Sequence, residues 1–159
     1  MDEIYIRKVC EGDAESFSFF IKTYKDMAYS LAISIVKDEF RAEEVVQDAF
    51  VKAFHGLKSF NQKSKFSTWF YRIVVNESFS HLKKINKEVI QFRQDYDTEI
   101  PDENDILALQ NEEQAFLVNE ALKMLSANES LALRLFYLEE TSINTLCEVT
   151  GWSSQTISL

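Results

Sequence analysis

The sequence has 159 residues and is poor in the residues that break or cross-link a chain, with only 3 Gly, 1 Pro and 2 Cys. So few turn-forming residues argue against sandwich, collagen-like and Rossmann architectures and favour a mostly helical protein. Two cysteines, Cys10 and Cys147, cannot make a disulfide framework, which favours a reducing cytoplasm. No apolar run approaches the roughly 20 residues that span a bilayer, and residues 1–10 lack a secretory apolar core, so membrane insertion is not expected.

Sequence patterns typical of catalytic and metal sites are also missing. There is no CxxC, HExxH or GxSxG motif and no Gly-rich loop that could cradle a phosphate. The two histidines, His55 and His81, are interpreted as isolated polar residues without ligands at metal-binding spacing. The sequence therefore predicts a protein that is not an enzyme and that holds no metal or other cofactor.

The net charge of −9 argues at first against a nucleic-acid binder. Its distribution along the chain changes that conclusion. Residues 1–51 carry a net charge of −5, and residues 94–159 carry −11. Between them, residues 52–93 hold nine basic and two acidic side chains, a net charge of +7. A basic island between two acidic segments is therefore hidden in the overall sum.

The apolar spacing predicts three long helices in the first half of the chain. The first runs from Asp13, with apolar residues at i, i+3, i+4 and i+7 as far as Ile35. After a short polar break, a second helix ends near Gly56, which is predicted as its C-cap. A third helix is predicted from Phe66 to about Lys87.

The second half of the chain predicts a linker and a helix-turn-helix unit. Residues 88–110 are acidic and contain the only proline, which indicates a linker. A capping box at Ser126–Glu129 opens a helix, and a shorter helix over about 142–150 follows. Small Cys147 in that helix and Gly151 after it suit the close crossing of a helix-turn-helix. The fold class is thus all-α, with two small helical domains, 1–87 and 111–159, joined by an acidic linker.

The third helix and the loop before it carry a basic, polar stripe. At about 100° per residue, the polar side chains of the helix share an arc of roughly 80°, with Trp69 at its edge. Lys and Arg side chains can neutralise phosphates, Asn can read base edges and Trp can stack on a base. A solvated polar face fits the pattern equally well, and the local charge of +7 favours binding. The candidate residues are Phe60, Asn61, Lys63, Lys65, Trp69, Arg72, Asn76, Ser80, Lys83 and Lys84.

Two further faces carry candidate sites. The outer face of the second helix is either a solvated acidic surface or a docking surface for a basic groove, formed by Glu43, Glu44, Gln47, Asp48 and Val51. If the helix-turn-helix forms, the start of its recognition helix places five polar residues at base edges: Ser153, Ser154, Gln155, Thr156 and Ser158. Because the chain ends at Leu159, that helix is expected to be truncated.

Two segments together resemble an extracytoplasmic-function (ECF) sigma factor of bacterial RNA polymerase. They are Ala42-Glu-Glu-Val-Val-Gln-Asp-Ala-Phe50 and Phe66-Ser-Thr-Trp-Phe-Tyr-Arg-Ile-Val-Val-Asn76. The resemblance implies that 1–87 is sigma domain two and that 111–159 is sigma domain four. Thr145-Leu-Cys147 departs from the family's usual Glu-Ile-Ala, and the run after Ser80 is less arginine-rich.

The resemblance also implies partners. The acidic face of the second helix would dock on the clamp coiled coil of the large subunit of core RNA polymerase. The loop and third helix would bind and help to melt the minus-ten promoter element, capturing a flipped base. The helix-turn-helix would read the minus-thirty-five element, and an anti-sigma factor would regulate the protein. The alternatives are a helix-turn-helix regulator that acts through protein contacts and a helical enzyme without a known motif.

Overall fold

The computed structural model describes residues 1–95, 117, 120–138 and 141–157, and every regular element within them is helical. The prediction of an all-α chain is confirmed. Short 3-10 turns precede the second helix and follow the third, and residues 120–124 are also helical. The α-helices are α1 (Asp2–Cys10), α2 (Ser18–Val36), α3 (Glu39–Gly56), α4 (Phe66–Asp95), α5 (Ala127–Leu133), α6 (Ile143–Thr150) and α7 (Ser154–Ile157).

Helices α2, α3 and α4 pack against one another in a three-helix bundle, with α1 beside them. We call α1–α4 the N-terminal bundle. Its core is aromatic: the ring centroids of Phe20 and Phe66 lie 4.3 Å apart, and those of Phe50 and Phe70 lie 4.6 Å apart. Both Phe20 and Phe70 are fully buried. Such pairs add about 0.5–1.5 kcal/mol each beyond the burial of their area, so this cluster fixes how the three helices meet.

The break between α2 and α3 is only two residues long. Lys37 ends α2 in the left-handed conformation, with φ of 56°. The Asp38 side chain then accepts a hydrogen bond from the backbone N–H of Arg41 at 2.8 Å and caps α3. This tight turn brings α2 and α3 back against each other.

The prediction that α3 ends near Gly56 is correct, but Gly56 is the last helical residue and the C-cap is Leu57, so its predicted role as the C-cap is wrong. Its φ of −82° is right-handed, and the chain continues directly into the 3-10 turn Leu57–Ser59. A Cβ atom at Gly56 would lie 3.3 Å from Cζ2 of Trp69. Glycine therefore allows α4's tryptophan to approach the backbone closely.

Helix α4 is longer than predicted, because it continues from Lys87 to Asp95. The first eight residues of the predicted linker, 88–95, are therefore helical. They contain neither glycine nor proline, so nothing in them interrupts the hydrogen-bond ladder. The rest of the predicted linker, 96–110, lies outside the described residues.

The described residues 120–138 and 141–157 form a second group, which we call the C-terminal unit. The predicted capping box is confirmed: the Ser126 Oγ accepts from the Glu129 N–H at 3.3 Å, and the Glu129 carboxylate accepts from the Ser126 N–H at 2.8 Å. The Ser126 N–H and the Ser126 hydroxyl both donate to the Glu129 carboxylate, and these two hydrogen bonds lower the pKa of Glu129. Helix α6 ends at Gly151 in the left-handed conformation, with φ of 76°.

The C-terminal unit packs on the N-terminal bundle, α5 against α2 and α6 against α4. Leu146 and Val149 of α6 are buried. The Lys37 ammonium donates to the backbone carbonyl of Lys123 at 2.7 Å and also to that of Leu125. A lysine at the carboxyl end of α2 thus joins the two halves of the molecule. No described helix combines the length and the hydropathy of a membrane span.

Candidate nucleic-acid and protein interfaces

The loop before α4 has a defined shape. The side-chain oxygen of Asn61 accepts a hydrogen bond from the backbone N–H of Lys63 at 3.1 Å, closing an Asx turn. Between them, Gln62 takes the left-handed conformation with φ of 57°, which is rare for a residue with a Cβ. The loop is therefore held in one conformation by its own residues, with the side chains of Asn61, Lys63 and Lys65 exposed.

Trp69 lies between this loop and the core. Its ring centroid is 4.8 Å from that of Phe60 and 5.6 Å from that of Phe66. Its six-membered ring lies over Gly56. Trp69 and Phe60 are both half-buried, so each combines a packing role with a partly accessible ring.

The polar stripe predicted on α4 is solvent-exposed along the helix. The structure places the side chains of Arg72, Asn76, Ser80, Lys83 and Lys84 outside the core. The buried residues of the same segment lie on the other side of the helix: Phe66, Phe70, Val74, Val75, Glu77, Ser78 and His81. We call the exposed residues, with the basic residues of the loop, the basic stripe. Cations at its two ends and amide and hydroxyl groups between them suit a phosphate backbone with unpaired bases.

A cavity of about 510 Å³ opens beside the loop. Ligand pockets in proteins commonly have volumes of about 300–1,000 Å³, so it has room for a nucleobase. Its far wall is the start of α1, a helix that was not among the predicted elements. The hydroxyl of Tyr24, on α2, donates to the Asp2 carboxylate of α1 at 2.6 Å. Burial of the hydroxyl, together with this carboxylate, raises the Tyr24 pKa. The lining residues are Met1, Asp2, Glu3, Ile6, Tyr24, Phe60, Gln62, Ser64, Lys65, Phe66 and Ser67.

The outer face of α3 is more apolar than the sequence analysis expected. Glu43, Gln47, Asp48 and Val51 are exposed and Glu44 is half-buried. Phe40 is 69% exposed and Phe54 is 36% exposed. At 100° per residue, Phe40, Val51 and Phe54 share the arc of the acidic side chains, and their spacing of 11 and 3 residues was the signal that was missed. We call this surface the acidic-apolar face; apolar side chains with a charged rim are typical of a protein interface.

Four charged or polar side chains meet between α3 and α4. The Nε2 atom of His81 lies 3.0 Å from Oδ2 of Asp48. The Lys52 ammonium is paired with the Glu77 carboxylate. We call Asp48, Lys52, Glu77 and His81 the α3–α4 polar cluster. The interpretation of His81 as an isolated polar residue is wrong: it is buried, and Glu77, four residues earlier, brings a carboxylate to the same helix face.

The candidate recognition residues lie at the end of the described chain. Ser153, Ser154, Gln155 and Thr156 are exposed, and the Ser153 hydroxyl accepts from the backbone N–H of Thr156 at 3.3 Å. Ser158 lies outside the described residues. Helix α7 is four residues long, so these side chains lie on a single helical turn.

The comparison with protein families matches Sigma-70 region 2 to residues 20–88, the segment that contains α2, α3 and most of α4. Among curated proteins, the ECF RNA polymerase sigma factor SigW of Bacillus subtilis is 35% identical over 79 residues, which are 50% of this chain and 42% of SigW. The ECF RNA polymerase sigma-E factor of Escherichia coli K12 is 33% identical over 132 residues, 83% of this chain and 61% of that protein. The chain thus matches between about two fifths and three fifths of these relatives.

Solved structures give a similar picture. The sigma factor RpoE of Bartonella quintana, solved in complex with the anti-sigma factor NepR, is 28% identical, with a TM-score of 0.68 over 90% of this chain and 88% of that one. CnrH, solved with the cytosolic domain of CnrY, has a TM-score of 0.67 at 19% identity, which shows a shared fold.

Proposed function

Because this chain belongs to the ECF sigma factors, we propose that it binds core RNA polymerase, directs it to specific promoters and helps to melt the minus-ten element. The observation that carries the proposal is that one bundle, within the matched segment 20–88, presents two different surfaces. The acidic-apolar face lies on α3, and the basic stripe lies on α4 and the loop before it. One suits a protein and the other a nucleic acid.

The acidic-apolar face is the proposed docking surface for the clamp coiled coil of the large polymerase subunit. Phe40, Val51 and Phe54 would supply apolar contact area at its centre. Glu43, Glu44, Gln47 and Asp48 would form a rim that attracts basic side chains and discourages other partners. Domain 1–87 would then be the part that anchors the protein to the polymerase.

The basic stripe is the proposed site for the minus-ten element. Lys63 and Lys65 of the loop and Arg72, Lys83 and Lys84 of α4 would neutralise phosphates. Asn76 and Ser80 lie between them and would contact bases and sugars. These side chains are exposed on one continuous piece of chain, so a single strand could follow it.

The cavity beside the loop is the proposed receptor for a base flipped out of the duplex. Flipping costs a few kcal/mol, which a pocket offsets by stacking and by hydrogen bonds to the base edge. Here Phe60 and Phe66 line one wall, and Gln62, Ser64 and Ser67 offer polar groups. The Asx turn at Asn61 would give this loop its shape in the free protein.

The C-terminal unit is the proposed reader of the minus-thirty-five element, as sigma domain four (111–159). Sigma domain two would be 1–87, and of the predicted linker 88–110 the first eight residues continue α4. Ser153, Ser154, Gln155, Thr156 and Ser158 would approach base edges, and the acidic linker would thread the polymerase cleft. We further propose that an anti-sigma factor binds this chain in the cytoplasm, as anti-sigma factor NepR binds RpoE. The protein would act without catalytic residues of its own.

Reconstitution with core RNA polymerase and a promoter library tests the proposal. Phe40→Ser should weaken binding to the core enzyme, because Phe40 is largely exposed and its loss should not disturb the fold. Ile21→Ser, at another exposed apolar residue on α2, is the matched control and should bind the core normally.

DNA binding is tested separately. Asn76→Ala should leave core binding intact and reduce open-complex formation. Trp69→Ala should also leave core binding intact. Loss of the base stacked on its ring should make open-complex formation less favourable by about 1–3 kcal/mol. If the unchanged chain supports transcription from no promoter of the library, or if Asn76→Ala opens promoters normally, the proposal is wrong. A chain that binds core enzyme but opens no promoter would instead favour the helix-turn-helix regulator that acts through protein contacts.

A further inference from the structure

We propose that Asp48, Glu77 and His81 form a binding site for one divalent transition-metal ion, with Zn²⁺ as the best fit. One ligand atom from each of these side chains lies within 4.8 Å of both others. Asp48 comes from α3, and Glu77 and His81 come from α4 at i and i+4. The inference goes beyond the proposed function and does not depend on it.

The geometry is close to that of a bound ion. Zn–N and Zn–O distances are about 2.0–2.2 Å, so two ligand atoms of a tetrahedral site lie about 3.3–3.5 Å apart. The His81 Nε2 and Asp48 Oδ2 atoms are 3.0 Å apart. The Glu77 carboxylate oxygen lies within 4.8 Å of the ligand atoms of His81 and Asp48, so each of these two distances would have to shorten by at most roughly 1.5 Å to reach the tetrahedral spacing. Rotation of the Glu77 and Asp48 side chains can supply that shift without moving either helix.

The charges of the cluster also favour a cation. Glu77 and His81 are both buried, and a buried carboxylate is costly unless it is paired. Lys52 currently supplies that pairing from a side chain that is 60% exposed. A divalent ion would replace this ammonium, be balanced by the two carboxylates and use neutral His81 as its third ligand. Lys52 is thus a cation that the metal must displace.

The ligand types select the class of metal. One imidazole nitrogen with two carboxylate oxygens suits Zn²⁺ and other first-row divalent ions, whereas Ca²⁺ and Mg²⁺ prefer oxygen alone. Three protein ligands leave a fourth position for water, on the side of exposed Asp48. Because the ligands come from two helices, the bound ion would tie α3 to α4 at the edge of the acidic-apolar face, to which Asp48 belongs.

Calorimetric titration of the 159-residue chain with ZnCl₂ is the first test, and we expect one ion per chain. His81→Gln should weaken Zn²⁺ binding by more than about 100-fold, beyond the 10- to 100-fold that loss of an outer-sphere partner costs. His55→Gln changes the other histidine, which is exposed and lies outside the cluster, and should bind Zn²⁺ like the unchanged chain.

Lys52→Met removes the competing cation and should strengthen Zn²⁺ binding. A gain in affinity cannot result from misfolding, so this variant separates ligand loss from loss of the fold. Titration with CoCl₂ identifies the ligands: visible bands without a near-ultraviolet thiolate band are expected for nitrogen and oxygen ligands. Equal affinity of His81→Gln and the unchanged chain would overturn the proposal. So would a thiolate band, which would assign the ion to Cys10 or Cys147, or weaker binding by Lys52→Met.

Discussion

Replacing Lys37 by methionine should loosen the contact between the C-terminal unit and the N-terminal bundle. Its ammonium donates to the backbone carbonyls of Lys123 and Leu125, at the carboxyl end of the helical segment 120–124. Burial at this contact lowers the Lys37 pKa. A hydrogen bond from a charged group contributes about 1.5–3 kcal/mol. Because methionine keeps most of the apolar length of the side chain and removes the ammonium group, the variant measures this polar link.

The expected change in the undocking equilibrium follows from that free energy. Each 1.4 kcal/mol is tenfold in an equilibrium constant, so Lys37→Met should raise the fraction of undocked molecules by about 10- to 100-fold. Helix α6 has eight residues, which is too short to persist alone in water. Its amides should therefore exchange with deuterium whenever the unit undocks, in proportion to that equilibrium.

Hydrogen exchange of residues 143–150, read by mass spectrometry, is the assay. Lys25→Met, at an exposed lysine of α2, is the control and should leave this exchange unchanged. Lys37→Gly should accelerate exchange as Lys37→Met does, yet raise the stability of the N-terminal bundle by about 1 kcal/mol, because glycine accepts the left-handed conformation. Identical exchange in Lys37→Met and the unchanged chain would refute the reasoning.

Two further predictions concern the loop and the capping box. Gln62 has φ of 57°, which glycine accepts and a β-branched residue resists, so Gln62→Gly should raise the free energy of unfolding by about 1 kcal/mol and Gln62→Val should lower it by about as much. Thermal melting measures both, and the opposite order would show that Gln62 does not take the left-handed conformation. The lowered pKa of Glu129 means that its carboxylate stabilises the fold above the ordinary pKa of 4.5 and that this contribution is lost as the pH falls through the folded pKa. Glu129→Gln should thus be less stable at neutral pH and show a shallower loss in acid than the control Glu148→Gln; parallel acid curves would contradict this.

The helices could be predicted from the sequence because their signals are local. Apolar spacing gave α2, α3 and most of α4, and the Ser126–Glu129 capping box gave the start of α5. The exposure of the polar stripe on α4 followed from the same periodicity.

What could not be predicted depends on contacts between distant residues. Gly56 is needed because Trp69, thirteen residues later, lies against it, and no local pattern shows this. The cavity wall formed by α1 and the approach of Asp48 to His81 require the bundle to be assembled first. Phe40 and Phe54 share the arc of the acidic side chains at 100° per residue, so the sequence shows which face they lie on, whereas their exposure depends on how the bundle packs.

The docking of the C-terminal unit on α2 and α4 has a consequence for the length of DNA that the protein can span. A compact body of the roughly 130 described residues has a radius of gyration of about 14 Å. Under the proposed function its two target elements are centred about 25 base pairs apart, or roughly 85 Å along straight B-DNA. Residues 96–110 can reach at most about 50 Å when fully extended. The docked form can therefore touch only one element at a time, and chain length sets the widest spacing that the undocked form can bridge.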